Sequence, residues 1–379
     1  MLFVCIRFMI FSQAFRVLHG MSPKAFRHTE RLYKTIFLGE QAIDAGGPYR
    51  ESFASYTQEL QSSALPLLIR TPNGRNATGY NREKWILNPG ATSSTQLEMF
   101  SFLGKLLGVA IRSKEYLALN IPPMIWKLLL NETPSVEDLE GIDSQIVNSF
   151  TKLRNIEQSG IDAESFSYTF FETFTTISSD DRIVELVPGG KDIDVTFDNR
   201  IDYCDKVINY RLHEFDVQAA AVRQGMSTII PIAMLNLHIW DQLETMVCGK
   251  SEVDVALLEQ ITEYQGCSPS DPHVRFFWQA LGEFDNEERS AVIKFVWGRS
   301  RLPLNAASFS QKFKIQTFSR SPADMYLPVS HTCFFSLELP SYTSTAIMKE
   351  KLRYAIFNCT AIDTDGNSGM DQSSMHWED

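Results

Sequence analysis

Cys333 stands in His331-Thr332-Cys333-Phe334, inside the segment Leu327 to Tyr342 that reads LPVSHTCFFSLELPSY. A thiolate is both a strong nucleophile and a good leaving group, so this side chain can take an acyl group from another thioester and pass it to an amine. That chemistry needs neither a metal nor an organic cofactor. His331 precedes Cys333 by two residues, and in an extended segment the two side chains share one face. Two roles are then open to His331: favouring the thiolate, or capping a turn by hydrogen bonding.

The elements that position this cysteine are legible around it. Leu327-Pro328 and Leu339-Pro340 bracket the segment, and Phe335, Leu337 and Leu339 alternate as in a strand with one buried face. Further upstream, Leu97, Phe100, Leu103, Leu107 and Ala110 recur at helical spacing between Gln96 and Ile111, with Gly104 and Gly108 four apart. A buried helix with close neighbours is expected, not a membrane dimer, because Lys105, Arg112 and Lys114 interrupt the run. Ser135 and Asp138 fit a helix cap. Ile146, Phe150 and Leu153 then form an apolar stripe with Ile156 nearby. The run from Pro188-Gly189-Gly190 through Val195-Thr196 to Asn199-Arg200 reads as a turn entering a strand and stopping at a helix cap. It lacks the spacing of a phosphate-binding loop.

Composition narrows the partners. The 379 residues include 44% hydrophobic and 12% aromatic types and carry a formal charge of −11, so the chain can bury two or three cores but offers no basic footprint for nucleic acid. Cysteines at 5, 204, 248, 267, 333 and 359 show no Cys-x-x-Cys spacing and no clustering with histidine. Zinc is not expected, and reduced thiols in the cytoplasm are. No run has the length of a bilayer span. The first ten residues, MLFVCIRFMI, carry Arg7 inside the apolar run and no basic segment before it, which favours a core helix or the edge of a domain over a secretory signal.

The Cys333 segment resembles the active-site segment of the HECT-type ubiquitin-protein ligases, which carry ubiquitin as a thioester on such a cysteine. Phe37-Leu38-Gly39-Glu40 with Asp44-Ala45-Gly46-Gly47, the helix around Phe100, Phe102, Gly104 and Gly108, and Pro188-Gly189-Gly190 with Val195-Thr196 and Asn199 resemble family elements in the family's order. So do Met246-Val247-Cys248-Gly249 and Phe276-Phe277-Trp278. Trp297-Gly298-Arg299-Ser300-Arg301-Leu302-Pro303 and Lys351 to Ile356 are most similar to the large HERC-type members.

The resemblance implies an α+β, bilobal fold. A mainly helical N-lobe, truncated at its start, would span 1–249 and include a smaller inserted subdomain at about 137–212. A hinge at 250–253 would lead to an α/β C-lobe at 254–362 carrying Cys333, and a flexible acidic tail at 363–379 would follow.

It also implies the activity. A charged ubiquitin-conjugating enzyme would dock on a groove of Ile146, Phe150, Leu153, Ile156, Phe166, Tyr168, Tyr203 and Val207 and pass ubiquitin to Cys333, with His331 and Thr332 in support. A lysine of a protein substrate would then attack the thioester, oriented by a carboxylate for which Asp363, Asp365, Glu378 and Asp379 are candidates. The tail departs from the family: many members end near Gly-Phe-Gly with a phenylalanine four residues from the terminus, where this chain has His376. Two rival readings stay open. A cysteine hydrolase would need a base and an orienting Asn or Asp that no second motif supplies, and a catalytically weak, truncated HECT module would only bind the conjugating enzyme or ubiquitin.

Overall fold

Helix Ser94–Ser113 begins with a reciprocal cap: the Gln96 amide donates to the Ser93 side chain at 3.3 Å, and the Gln96 side chain accepts from the Ser93 amide at 3.2 Å. It stops where Lys114 turns left-handed at φ 57°. Its neighbour, Asp216–Ser227, packs against it backbone to backbone, because a Cβ on Gly104 would lie 1.9 Å from the Val222 carbonyl oxygen and one on Gly225 would lie 1.8 Å from that of Ser101. Only glycine permits this approach. The computed structural model describes residues 2–6, 8–28, 31–38, 47–309, 311–318, 320–332 and 334–358.

These two helices sit in a large apolar core that also takes in the ring cluster of Tyr33, Tyr49, Phe53 and Tyr56 and helices Pro123–Leu129 and Trp240–Cys248. The amino-terminal run is not helical at first: Leu2–Cys5 is a strand parallel to Lys34–Phe37, and helix Ile10–Leu18 follows. Phe3 and Cys5 are buried while Leu2 and Val4 are exposed, the period-two pattern of a strand with one face covered.

A smaller apolar cluster gathers Leu153, Phe166, Tyr203, Cys204 and Val207 from helices Ser144–Arg154, Ala163–Thr169 and Arg200–His213, with Phe174 and Val195 from the segments before and after the hairpin Thr175–Ile177/Ile183–Glu185. Buried Arg211 ties its base together. Its guanidinium lies 3.0 Å from Asp143 Oδ2 and 2.8 Å from Glu214 Oε1 and donates to Ser179 Oγ at 2.9 Å. Asp143 in turn caps Ser144–Arg154 by accepting from the Ile146 amide at 3.1 Å. Ser135 and Asp138 do form the expected capping box, at Val136–Glu140.

The strand expected after Pro188-Gly189-Gly190 is absent. A 3-10 turn, Gly190–Asp192, leads instead to a single bridge between Thr173 and Asp194. Asn199 takes up the local backbone, accepting from the Thr196 amide at 2.7 Å and donating to the Asp194 carbonyl at 3.0 Å. Such side-chain bonds compete with a ladder.

A third cluster, running from Val253 to Leu352, fills the space between a four-stranded sheet and helices Pro272–Glu283, Asn286–Trp297 and Thr345–Asn358. Strands Thr262–Gln265, Phe313–Thr317, Ser336–Leu339 and Val329–His331 lie side by side in that order. The first three are parallel and the last is antiparallel. Helices and sheets together make the chain α+β. Among the described residues no helix is long and apolar enough to cross a membrane.

Candidate active site

Antiparallel pairing sets His331 opposite Ser336, Ser330 opposite Leu337 and Val329 opposite Glu338. Between the paired strands the chain reverses, and the Phe334 amide donates to the His331 carbonyl at 3.0 Å. Cys333 itself lies outside the described residues, as do Gly39, Glu40, Asp44, Ala45, Gly46 and the tail 363–379. On one side of Cys333, Thr332 is buried; on the other, Phe334 is exposed. Phe335 then turns inward with a left-handed φ of 50°. A bulky residue in that region costs on the order of 1–3 kcal/mol. Full burial of the ring offsets this, since it stacks on Trp297 at 4.2 Å and 9° and packs tilted on Phe313 at 5.0 Å.

The side chains around this reversal have definite partners. His331 Nε2 stands 3.0 Å from Glu338 Oε1, both partly exposed, so the carboxylate fixes the imidazole's orientation across the strand pair. The Thr332 hydroxyl finds no hydrogen-bond partner among the described residues. Its carbonyl accepts a long bond, 3.4 Å, from Arg50 Nη1 on helix Gly47–Leu60.

Arg50 and Arg299 both reach Glu115, at 3.9 Å and 2.5 Å, and Arg299 also lies 4.4 Å from the Trp297 ring. Arg301 donates to Asn120 Oδ1 at 2.9 Å. A continuous set of side chains therefore runs from the turn after Ser94–Ser113 to the backbone beside Cys333.

The residues expected to form the conjugating-enzyme groove meet in the smaller cluster, but they divide by exposure. Leu153, Phe166, Tyr203 and Val207 are buried as its core; Ile146, Phe150 and Ile156 are partly covered; Tyr168 is 74% exposed. Tyr203 donates to the Thr175 carbonyl at 3.0 Å and packs edge-on to Phe150, and burial pushes its hydroxyl up to about 12.

Sequence reading missed further exposed apolar side chains in the same subdomain: Phe171 at 81%, Ile183 at 78% and Ile177 at 59% exposure. Ile177 and Ile183 are register partners in the hairpin. Its signal was present as an inversion, since Thr176 is buried while the flanking Ile177 is not.

A family model described as HECT-domain (ubiquitin-transferase) matches residues 54–364. The chain is 40% identical over 358 residues to E3 ubiquitin-protein ligase HERC2 of Mus musculus and to that of Homo sapiens, in each case covering 94% of this chain and 7% of that protein. It is 28% identical over 354 residues to E3 ubiquitin-protein ligase ptr1 of Schizosaccharomyces pombe, covering 92% of this chain and 10% of that protein. The chain thus spans less than a tenth of the length of the HERC2 proteins, and it belongs to the HECT-domain family of ubiquitin transferases.

Proposed function

We propose that this chain is a ubiquitin-protein ligase module that accepts ubiquitin from a charged conjugating enzyme as a thioester on Cys333 and transfers it to a lysine of a protein substrate. The observation that carries the reading is the family match across the segment that holds His331-Thr332-Cys333-Phe334. In the first step the Cys333 thiolate attacks the donor thioester carbonyl, a new C–S bond forms, and the conjugating enzyme's thiolate leaves. In the second, the lysine amine attacks, gives up a proton, and Cys333 leaves as the thiolate. The two thioesters are nearly equal in energy, so position is the protein's main contribution to the first step.

The reading divides the chain into an N-lobe at 1–249, with the conjugating-enzyme subdomain at about 137–212, a hinge at 250–253, a C-lobe at 254–362 and a tail at 363–379. Two facts support the boundary at the hinge. The large core extends to Cys248, and the carboxy-terminal core starts at Val253. For docking, Tyr168, Ile146, Phe150 and Ile156 are the groove residues that retain surface, and Phe171, Ile177 and Ile183 add exposed apolar side chains. A soluble, cytoplasmic setting suits this chemistry, which uses a reduced thiol.

The test is a non-reducing gel after incubation with ubiquitin, its activating enzyme and a panel of conjugating enzymes. An adduct removed by reductant and absent in Cys333→Ala is expected. An adduct that persists in that variant, or none with any conjugating enzyme, would reject the assignment.

A further inference from the structure

The buried residues of the large core stop at Val147 and resume at Phe215, while those of the smaller cluster run from Leu153 to Val207. The chain therefore crosses between the two cores twice, along helix Ser144–Arg154 on the way out and at the end of helix Arg200–His213 on the return. Arg211, 2% exposed, holds both crossings. Its Nη1 meets Asp143 Oδ2, at the cap of the outgoing helix, at 3.0 Å, and its Nε meets Glu214 Oε1, just past the returning one, at 2.8 Å.

A third attachment converges on the same guanidinium. Nη2 donates to Ser179 Oγ at 2.9 Å and Nη1 makes a long bond, 3.4 Å, to the Ile177 carbonyl. Both acceptors belong to the hairpin that carries the exposed side chains of Ile177 and Ile183. Glu214 completes the set by accepting from the Ser179 amide at 2.9 Å and from its hydroxyl at 2.6 Å. The turn of the hairpin also rests on the larger body. Arg75 donates to the Ser179 carbonyl at 2.6 Å and pairs with Asp181 at 3.1 Å, and a Cβ on Gly90 would lie 2.3 Å from Asp180 Oδ2.

A planar guanidinium with five donors fixes direction as well as distance. A buried charge cluster adds little stability over a well-packed apolar one, so a single defined arrangement is what this cluster offers. We propose that Arg211 is a positioning residue for ubiquitin transfer: it sets the angle at which the docking subdomain stands on the larger body, and hence the separation of a docked donor thioester from Cys333. It touches neither. A misplacement of about 1 Å costs about 100-fold in rate, and loss of the fork frees both crossings and the hairpin together. The proposal rests on the reading of this subdomain as the conjugating-enzyme site.

The experiment uses the full chain and a conjugating enzyme that loads Cys333 in the wild type. Absence of wild-type loading would remove the thioester reading and this proposal with it, whereas the variants test the proposal alone. Arg211→Lys keeps the charge without the fork. The triple variant Arg211→Met/Asp143→Asn/Glu214→Gln removes all three charges and keeps a capping side chain at 143, so its fold does not depend on an unpaired carboxylate. Each variant should bind the conjugating enzyme with near wild-type affinity by calorimetry, yet load Cys333 at least about tenfold more slowly in a single turnover at saturating donor. Discharge of a preformed Cys333 thioester to free lysine should keep its wild-type rate, because the donor has left by then. A general loosening of the fold would lower affinity and discharge along with loading. Wild-type loading at saturation in both variants, a parallel loss of discharge or affinity, or failure of both variants to fold would make Arg211 no more than a stabilising residue and overturn the proposal.

Discussion

His331 Nε2 and Glu338 Oε1 face each other at 3.0 Å across the strands that flank the Cys333 reversal. A carboxylate on one ring nitrogen sets the tautomer so that the other nitrogen is the acceptor. In the proposed second step the attacking lysine must lose a proton, and positioned acid–base groups contribute on the order of 100-fold or more. His331→Ala should therefore slow discharge of a preformed Cys333 thioester to free lysine by at least about tenfold. Loading from the conjugating enzyme should change less. Glu338→Gln, which keeps a hydrogen-bonding group but removes the charge, should produce a smaller loss and shift the pH profile of discharge. Equal single-turnover rates for discharge in all three proteins would reduce the pair to a structural contact.

Phe335 makes a stability prediction that inverts the usual order. Glycine in an element is ordinarily worse than alanine by roughly 0.5–1 kcal/mol. At φ 50° the left-handed backbone favours glycine, while both substitutions lose the stack on Trp297 and cost about 3–5 kcal/mol from the emptied core. Phe335→Gly should thus unfold at higher urea than Phe335→Ala, by about 1 kcal/mol. If alanine proves the more stable of the two, the left-handed conformation is not what this position requires.

The resemblance puts Tyr168 and Tyr203 in one groove, and their burial separates them. Tyr168→Ala should weaken binding of a conjugating enzyme by about 1–2 kcal/mol without altering melting, as an exposed aromatic anchor would. Tyr203→Ala should first destabilise the small cluster, because it removes a buried ring and the bond to the Thr175 carbonyl. Tyr203→Phe loses only that bond, about 1 kcal/mol. Calorimetric affinities with paired melting curves decide the matter, and wild-type affinity in Tyr168→Ala would remove it from the docking surface.

The contrast between these tyrosines shows where sequence reading reached its limit. Periodicity was enough for helix Ser94–Ser113 and for the inward Leu337 and Leu339, because burial there follows a local repeat. The Ser135/Asp138 cap was legible for the same reason: both partners lie within one turn. Leu2–Cys5 was not read as a strand because its partner, Lys34–Phe37, is distant in the chain. Likewise, nothing local announces that Arg211 will be buried against Asp143, or that Arg50 will reach the carbonyl before Cys333. The missing strand near Val195 came from the opposite cause, a local Asn199 bond strong enough to replace pairing. Tyr203 and Tyr168 share one chemistry, and only the packing of three helices assigns one to the core and the other to solvent.

The last prediction concerns the proposed hinge. A cysteine that accepts ubiquitin from a docked donor and then meets varied lysines must change its surroundings between steps, and a few residues between rigid units can absorb that change. Gly249 ends helix Trp240–Cys248 with a left-handed φ of 75°, and the following segment is held by few bonds. The Lys250 amide donates to the Leu302 carbonyl at 3.3 Å, while Asn286 bonds the Ser251 carbonyl and the Val253 amide, each at 2.8 Å. Proline at 251 and 252 leaves all three bonds chemically possible, yet it fixes φ at both positions and restricts Lys250 and Ser251 before them. The double variant Ser251→Pro/Glu252→Pro should therefore fold, bind a conjugating enzyme with near wild-type affinity, and load ubiquitin on Cys333 several-fold more slowly in a single turnover. Extending the change to Lys250→Pro removes the bond to Leu302 as well and should add a loss of stability. A double variant that melts normally and loads at the wild-type rate would show that rotation about this segment is not the step that brings Cys333 to its donor.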